Sequence, residues 1–120
     1  MKLHHVGIVI DNKEILEFAS EKTIRNKIID NNQNNYIYFD YDNSKKIWFE
    51  YICPFNKNST VFNFLKKKGG GLHHLGYFVD NIKRITKNYK KRKNYIFLSS
   101  YSINIPFFGG NVETSFFYNN

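Results

Sequence analysis

Residues 2–10 read KLHHVGIVI, an apolar run rich in β-branched residues, and lead into Asp-Asn. That pattern predicts a strand followed by a helix start. Asp11 and Glu14 have the spacing of a capping box, and Ile15, Phe18 and Ala19 continue at helical intervals. A short strand at 27–29 and the polar loop DNNQNN (30–35) come next. YIYFDY (36–41) and KIWFEYI (46–52) flank the turn-rich DNSK, which predicts a β-hairpin ended by Pro54. Ser59 can cap a short helix through Val61, Phe62, Phe64 and Leu65. Lys66–Lys68 suit its negative end, and Gly69–Gly71 its stop. A second strand-to-helix passage starts at Leu72, with Ile82, Ile85 and Tyr89 on one helix face and Lys83, Arg84, Lys87, Lys90 and Lys91 opposite. A strand at 94–99, a loop with Pro106 and Gly109–Gly110, and a last strand over about Glu113–Tyr118 complete the pattern.

The two strand-to-helix passages are copies of each other. Residues 3–12 are LHHVGIVIDN and residues 72–81 are LHHLGYFVDN, with six of ten positions identical. All four histidines of the chain lie in these two segments. The repeat predicts two structural modules in one domain spanning 1–120: module one at about 1–56, a linker helix at about 59–71, and module two at about 72–120. Module one reads strand, helix and three strands. Module two reads the same but lacks its last strand.

Composition narrows the class. With 120 residues, 42% hydrophobic and 18% aromatic, the chain can bury a core and is too apolar for disorder. A single cysteine, Cys53, excludes an internal disulfide framework and suits a cytoplasmic setting. No apolar run reaches membrane-spanning length, and MKLHHVGIVI lacks a signal-peptide layout. The net charge of +8 suits an anionic partner. KNYKKRKNY (87–95) interleaves cations with tyrosines, yet a solvated helix face explains it more simply than nucleic-acid binding.

Alternation along the first strand puts His5 and Gly7 on one face, with His4 on the face a helix should cover. The repeat puts His74 and Gly76 together in the same way, with His73 on the helix side. Duplication therefore brings His5 and His74 to matched places, and two neutral imidazoles form the start of a metal site. His4 and His73 are packing or supporting residues on this reading. Glu50 stands among large apolar residues in IWFEYI, where an unpaired carboxylate is costly and a cation is the simplest remedy. Two imidazoles and a carboxylate suit one divalent ion: Zn, Ni, Co, Fe or Mn. Cys53 reads as a packing residue. GGG at 69–71 is not a phosphate loop, because the GxxxxGK[ST] pattern is absent.

The segments HHVGIVI, FEYICPF and VFNFLKKKGGGLHHLGYFVDNI resemble the vicinal oxygen chelate superfamily, above all methylmalonyl-CoA epimerase and related glyoxalase-type proteins. The resemblance spans about residues 3–82. It implies an α+β fold of two βαβββ modules forming a partly open barrel around one divalent metal. It matches His5, Glu50 and His74 to the first three ligands. The fourth is a glutamate on the last strand of module two, and Glu113 is the only late carboxylate. The epimerases also imply an acidic proton-transfer residue near DNNQNN, where Asp30 is available. A homodimer is implied as well. The resulting expectation is a metal-dependent isomerase or lyase acting on a small anionic substrate, such as a CoA or glutathione thioester, through an enolate-type intermediate. The competing expectation is a metal-free ligand-binding protein of the bleomycin-resistance type, with Trp48 and Phe49 lining the cavity.

Overall fold

The computed structural model describes residues 1–119. The first predicted strand forms as β1 (Lys2–Val9) and hands over at Asp11, which caps α1 (Asn12–Phe18). Its carboxylate accepts from the Lys13 amide at 2.8 Å, rather than from the Glu14 amide that a capping box uses. A second short helix, α2 (Glu21–Arg25), follows and was not predicted. Its signal is Ser20, whose Oγ accepts from the Thr23 amide. Then come β2 (Ile28–Asp30) and the expected hairpin, β3 (Asn35–Asp42) with β4 (Ile47–Pro54). Asp42 Oδ1 accepts from the amides of Ser44 and Lys45 and so fixes the hairpin turn. The next helix, α3 (Phe62–Lys68), lies within the Lys2–Phe78 part of the chain and ends in three lysines. Gly69, at a left-handed φ of 74°, closes it.

The second copy supplies β5 (Gly71–Phe78), α4 (Ile82–Lys90), β6 (Tyr95–Ile105) and β7 (Gly110–Asn119). It thus has strand, helix and two strands among the described residues, one strand fewer than the first copy, as expected. β6 runs six residues past its predicted end, because Tyr101, Ile103 and Ile105 continue the alternation. A 3-10 turn at Pro106–Phe108 then joins it to β7. The architecture is α+β, with no closed barrel among the described residues. No described helix is long and apolar enough to cross a membrane.

Two compact units result: Lys2–Phe78, and Val79 onward together with Met1. The first holds a five-stranded mixed sheet of order β2-β3-β4-β1-β5. In it β1 lies between β4, which runs parallel to it, and β5, which runs antiparallel. The opening strand of the second repeat therefore completes the sheet of the first. The second unit holds α4 and the β6–β7 hairpin.

Alternation gives the five-stranded sheet two different faces. On one, Ile15 of α1 packs with Tyr38, Cys53 and Ile10. On the other, Val9 and Ile52 pack with Val61, Phe64 and Leu65 of the α3 region. Ile15 is fully buried. We expect Ile15→Ala to cost about 2–5 kcal/mol, the range for truncating a buried aliphatic side chain to alanine, measured by chemical denaturation.

Candidate metal centre

The α3 face of the sheet carries the site. On β4 it presents Trp48, Glu50 and Ile52, while Phe49 alternates to the opposite face. The expectation that Phe49 lines a cavity beside Trp48 is therefore corrected by the pleat. Register sets the rest. Gly7 lies opposite Glu50 on one side and His74 on the other, and His5 lies opposite Gly76. Each glycine makes room for a ring from across the strand pair: a Cβ on Gly7 would land on the His74 ring, and one on Gly76 on the His5 ring. The His74 ring thus reaches from β5 over the bare spot on β1 to Glu50 on β4.

Three atoms converge there. Glu50 Oε1 is 3.1 Å from His74 Nε2 and 3.9 Å from His5 Nε2, and the two Nε2 atoms are 3.2 Å apart. Points at separations of 3.1, 3.2 and 3.9 Å lie on a circle of radius about 2.0 Å, the bond length of a divalent first-row cation to imidazole nitrogen or carboxylate oxygen. Electron pairs that converge so closely need a positive charge between them, either a proton or a metal ion. The donor set therefore fits a cation. His5, Glu50 and His74 form the one cluster among the described residues with this capacity.

The site is enclosed but reachable. The side chains of His5, His74 and Glu50 retain 20%, 22% and 12% exposure. Phe39 pairs with Glu50 across β3–β4 and sets its ring edge-on to both His5 and Trp48. Burial pushes the His5 imidazole down to about 4, with His74 and His4 reinforcing the shift and the Glu50 charge opposing it. His5 is therefore neutral near pH 7, the form that binds metal. Burial works to raise Glu50, but the His74 hydrogen bond and the His5, His74 and His73 charges outweigh it and hold the carboxyl below its usual range.

The direction of pH dependence follows. An unfolded His5 takes up a proton near 6.5, whereas the folded one resists until about 4. Below 6.5 the unfolded state binds more protons, so stability present above that pH drains away as pH falls toward 4. The lowered Glu50 acts in the same sense at the acid end of the window. The metal-free protein should show a falling thermal midpoint from pH 7 to 4, and His5→Gln should flatten the upper part of that curve.

The other candidates lie elsewhere. Asp30 is fully buried at the end of β2, where it accepts from the Asn32 amide at 2.9 Å. Register places it beside Asn35, which pairs with Pro54, four residues along β4 from Glu50. That is about 13 Å of extended chain, so the structure does not bring Asp30 to the cluster. Glu113 stands on β7 opposite Ser102 and lines a cavity of about 420 Å³ with Lys87 and Ser102 in the second unit. It is not a member of the cluster. Cys53 is fully buried, and burial raises its thiol to about 12, which leaves it a packing residue.

No protein-family model matches the sequence, and no curated protein does. Solved structures do. A hypothetical protein from Bacillus halodurans superposes with a TM-score of 0.74 at 20% identity, over 98% of this chain and 83% of that one. Methylmalonyl-CoA epimerase from Mycobacterium tuberculosis gives 0.70 at 16% identity, over 86% and 71%. A variant of the Streptomyces coelicolor epimerase, in complex with 2-nitronate-propionyl-CoA, gives 0.65 at 18% identity, over 87% and 79%. The chain has the methylmalonyl-CoA epimerase fold. Identities this low speak for the fold, and the resemblance read from HHVGIVI, FEYICPF and the GGGLHH segment holds at that level. In this epimerase fold, the first strand of the second repeat joins the sheet of the first, and that pairing assembles the His5–Glu50–His74 cluster.

Proposed function

We propose that the chain is a divalent-metal-dependent isomerase or lyase, most like an epimerase, acting on a small anionic thioester. One observation carries this reading: two Nε2 atoms and a carboxylate oxygen, drawn from both copies of the repeat, converge at metal-binding separations above two glycines. His5, His74 and Glu50 would hold the ion. When bound, it supplies Lewis-acid stabilisation of the negative charge that develops on a substrate oxygen as an enolate-type intermediate forms.

The chain's own residues do the rest. Burial keeps His5 neutral, so it gives an electron pair without adding charge. Glu50 offsets one unit of a divalent charge and leaves a net positive site for an anionic substrate. Phe39 stands beside the site, edge-on to His5 and to Trp48. The substrate class comes from the neighbours: a methylmalonyl-CoA epimerase is described in complex with methylmalonyl-CoA, and another with 2-nitronate-propionyl-CoA. The proton-moving residue is not among the three clustered groups, all of which are committed to the ion.

The test is elemental analysis of tag-free protein beside the His5→Ala/His74→Ala variant, followed by deuterium exchange at the α-carbon of methylmalonyl-CoA. About one divalent ion per chain, lost in the variant, together with metal-dependent exchange, is the expected result. No metal after reconstitution would overturn the proposal, and a chelator-insensitive thermal shift with thioesters would then favour a ligand-binding role.

A further inference from the structure

His4 and His73 take no part in the chemistry above, yet each is placed with the same care as its neighbour. Pairing of β1 with β5 runs Leu3↔Tyr77 and then His5↔Gly76, so His4 is the extra residue of a bulge on β1. It then runs Gly7↔His74 and Ile8↔Leu72, so His73 is the extra residue of a bulge on β5. A regular strand would send these side chains to the face opposite His5 and His74. The bulges turn them alongside instead. His4 Nδ1 lies 3.0 Å from His5 Nδ1, and His73 Nδ1 lies 3.0 Å from His74 Nδ1. The rings meet edge-on in both pairs, with centroids 5.3 and 5.2 Å apart. The same unusual contact, built by the same irregularity in both repeats, argues for a shared task.

We infer that His4 and His73 are positioning residues that, once an ion takes the place of the His74–Glu50 hydrogen bond, hold His5 and His74 in the Nδ1-protonated tautomer and so aim their Nε2 electron pairs into the site. The inference rests on the metal reading above. An Nδ1-to-Nδ1 hydrogen bond between neutral imidazoles contains one proton. If the inner ring donates it, the inner Nε2 is bare and can bind a cation. If the outer ring donates it, the inner Nε2 carries hydrogen and is blocked. A ligating histidine commonly gives its second N–H to a neighbouring acceptor, often a carboxylate. Here the acceptor is another imidazole, which orients the ring without adding negative charge. The site keeps a net charge of +1 with a divalent ion and Glu50, and that charge suits an anionic oxygen. Phe64, edge-on to His73 with centroids 5.2 Å apart, helps fix the outer ring on the second copy.

The test uses the full chain with Co(II) and Zn(II) as probes. His4→Phe and His73→Phe keep a flat ring but remove the acceptor, whereas His4→Asn and His73→Asn restore an acceptor oxygen. Each Phe variant should lose 10- to 100-fold in Co(II) affinity by chelator competition. Each Asn variant should regain much of that loss. Long-range ¹H–¹⁵N spectra of the Zn(II)-loaded wild type should show hydrogen on Nδ1 of His5 and His74. Wild-type affinity in the Phe variants, equal losses in the Phe and Asn variants, or hydrogen on Nε2 would each overturn the positioning role. If the wild type binds metal through His5 and His74 while the Phe variants match it, only this inference fails. If the wild type binds neither ion, the metal reading fails with it.

Discussion

Gly7→Ala should lower divalent-metal affinity by at least 100-fold, and Gly76→Ala should do the same. The reason is volume rather than ligand chemistry. A methyl group on Gly7 would occupy the place of the His74 ring, and one on Gly76 the place of the His5 ring. Neither imidazole is the far end of a long flexible chain, so neither can yield without withdrawing Nε2 from the cluster. A shift of 1 Å is half the bond length the three donors define, and the ion would lose a ligand. Overpacking of this kind costs about 1–3 kcal/mol of stability, so the variants should fold and permit measurement. Isothermal titration with Zn(II) and Co(II), beside circular dichroism of the metal-free protein, reads both quantities. An alanine variant that binds metal normally would show that the rings can rest elsewhere.

Glu50→Leu is the second large effect, and its two consequences separate. Metal binding should be lost, because two imidazoles without the carboxylate leave the ion two ligands and an uncompensated charge. At a metal concentration 100-fold above Kd, the wild type gains about 2.7 kcal/mol, and its thermal midpoint should rise by roughly 10 °C. The variant should show no rise. Its metal-free stability should change little at pH 7, because removal of a nearly buried carboxylate relieves desolvation while the His74 hydrogen bond is lost. Differential scanning calorimetry with and without Zn(II) tests both. A metal-induced rise that survives in the variant would remove Glu50 from the ligand set.

Much of this site is written in the order of residues. The repeat marks His5 and His74, alternation puts them on one face, and an isolated carboxylate in IWFEYI points to Glu50. Pairing register is what the sequence leaves open. Gly7 looks like space beside His5, its neighbour two residues back, but its partner across the strands is His74, and only the antiparallel β1–β5 alignment shows it. His4 and His73 fall on the helix side by simple alternation, yet one-residue bulges bring them beside the inner rings. Such irregularities are set by both strands at once and leave no local signature. Asp30 shows the converse error. Its nearness in sequence to a familiar acidic position means little, because β2 ends two strands and several residues away from Glu50.

The reciprocal seating of ring over glycine has a further implication. His5 meets Gly76 as His74 meets Gly7, so the contact is self-complementary in the way a two-fold dimer interface is. A strand bearing His-x-Gly, laid antiparallel against an identical strand with this offset, generates two adjacent imidazoles by symmetry alone. The geometry is thus equally available to two separate copies of one short chain. In this chain the two repeats are not equivalent: one contributes the carboxylate as well as its imidazole, and the other contributes its imidazole alone.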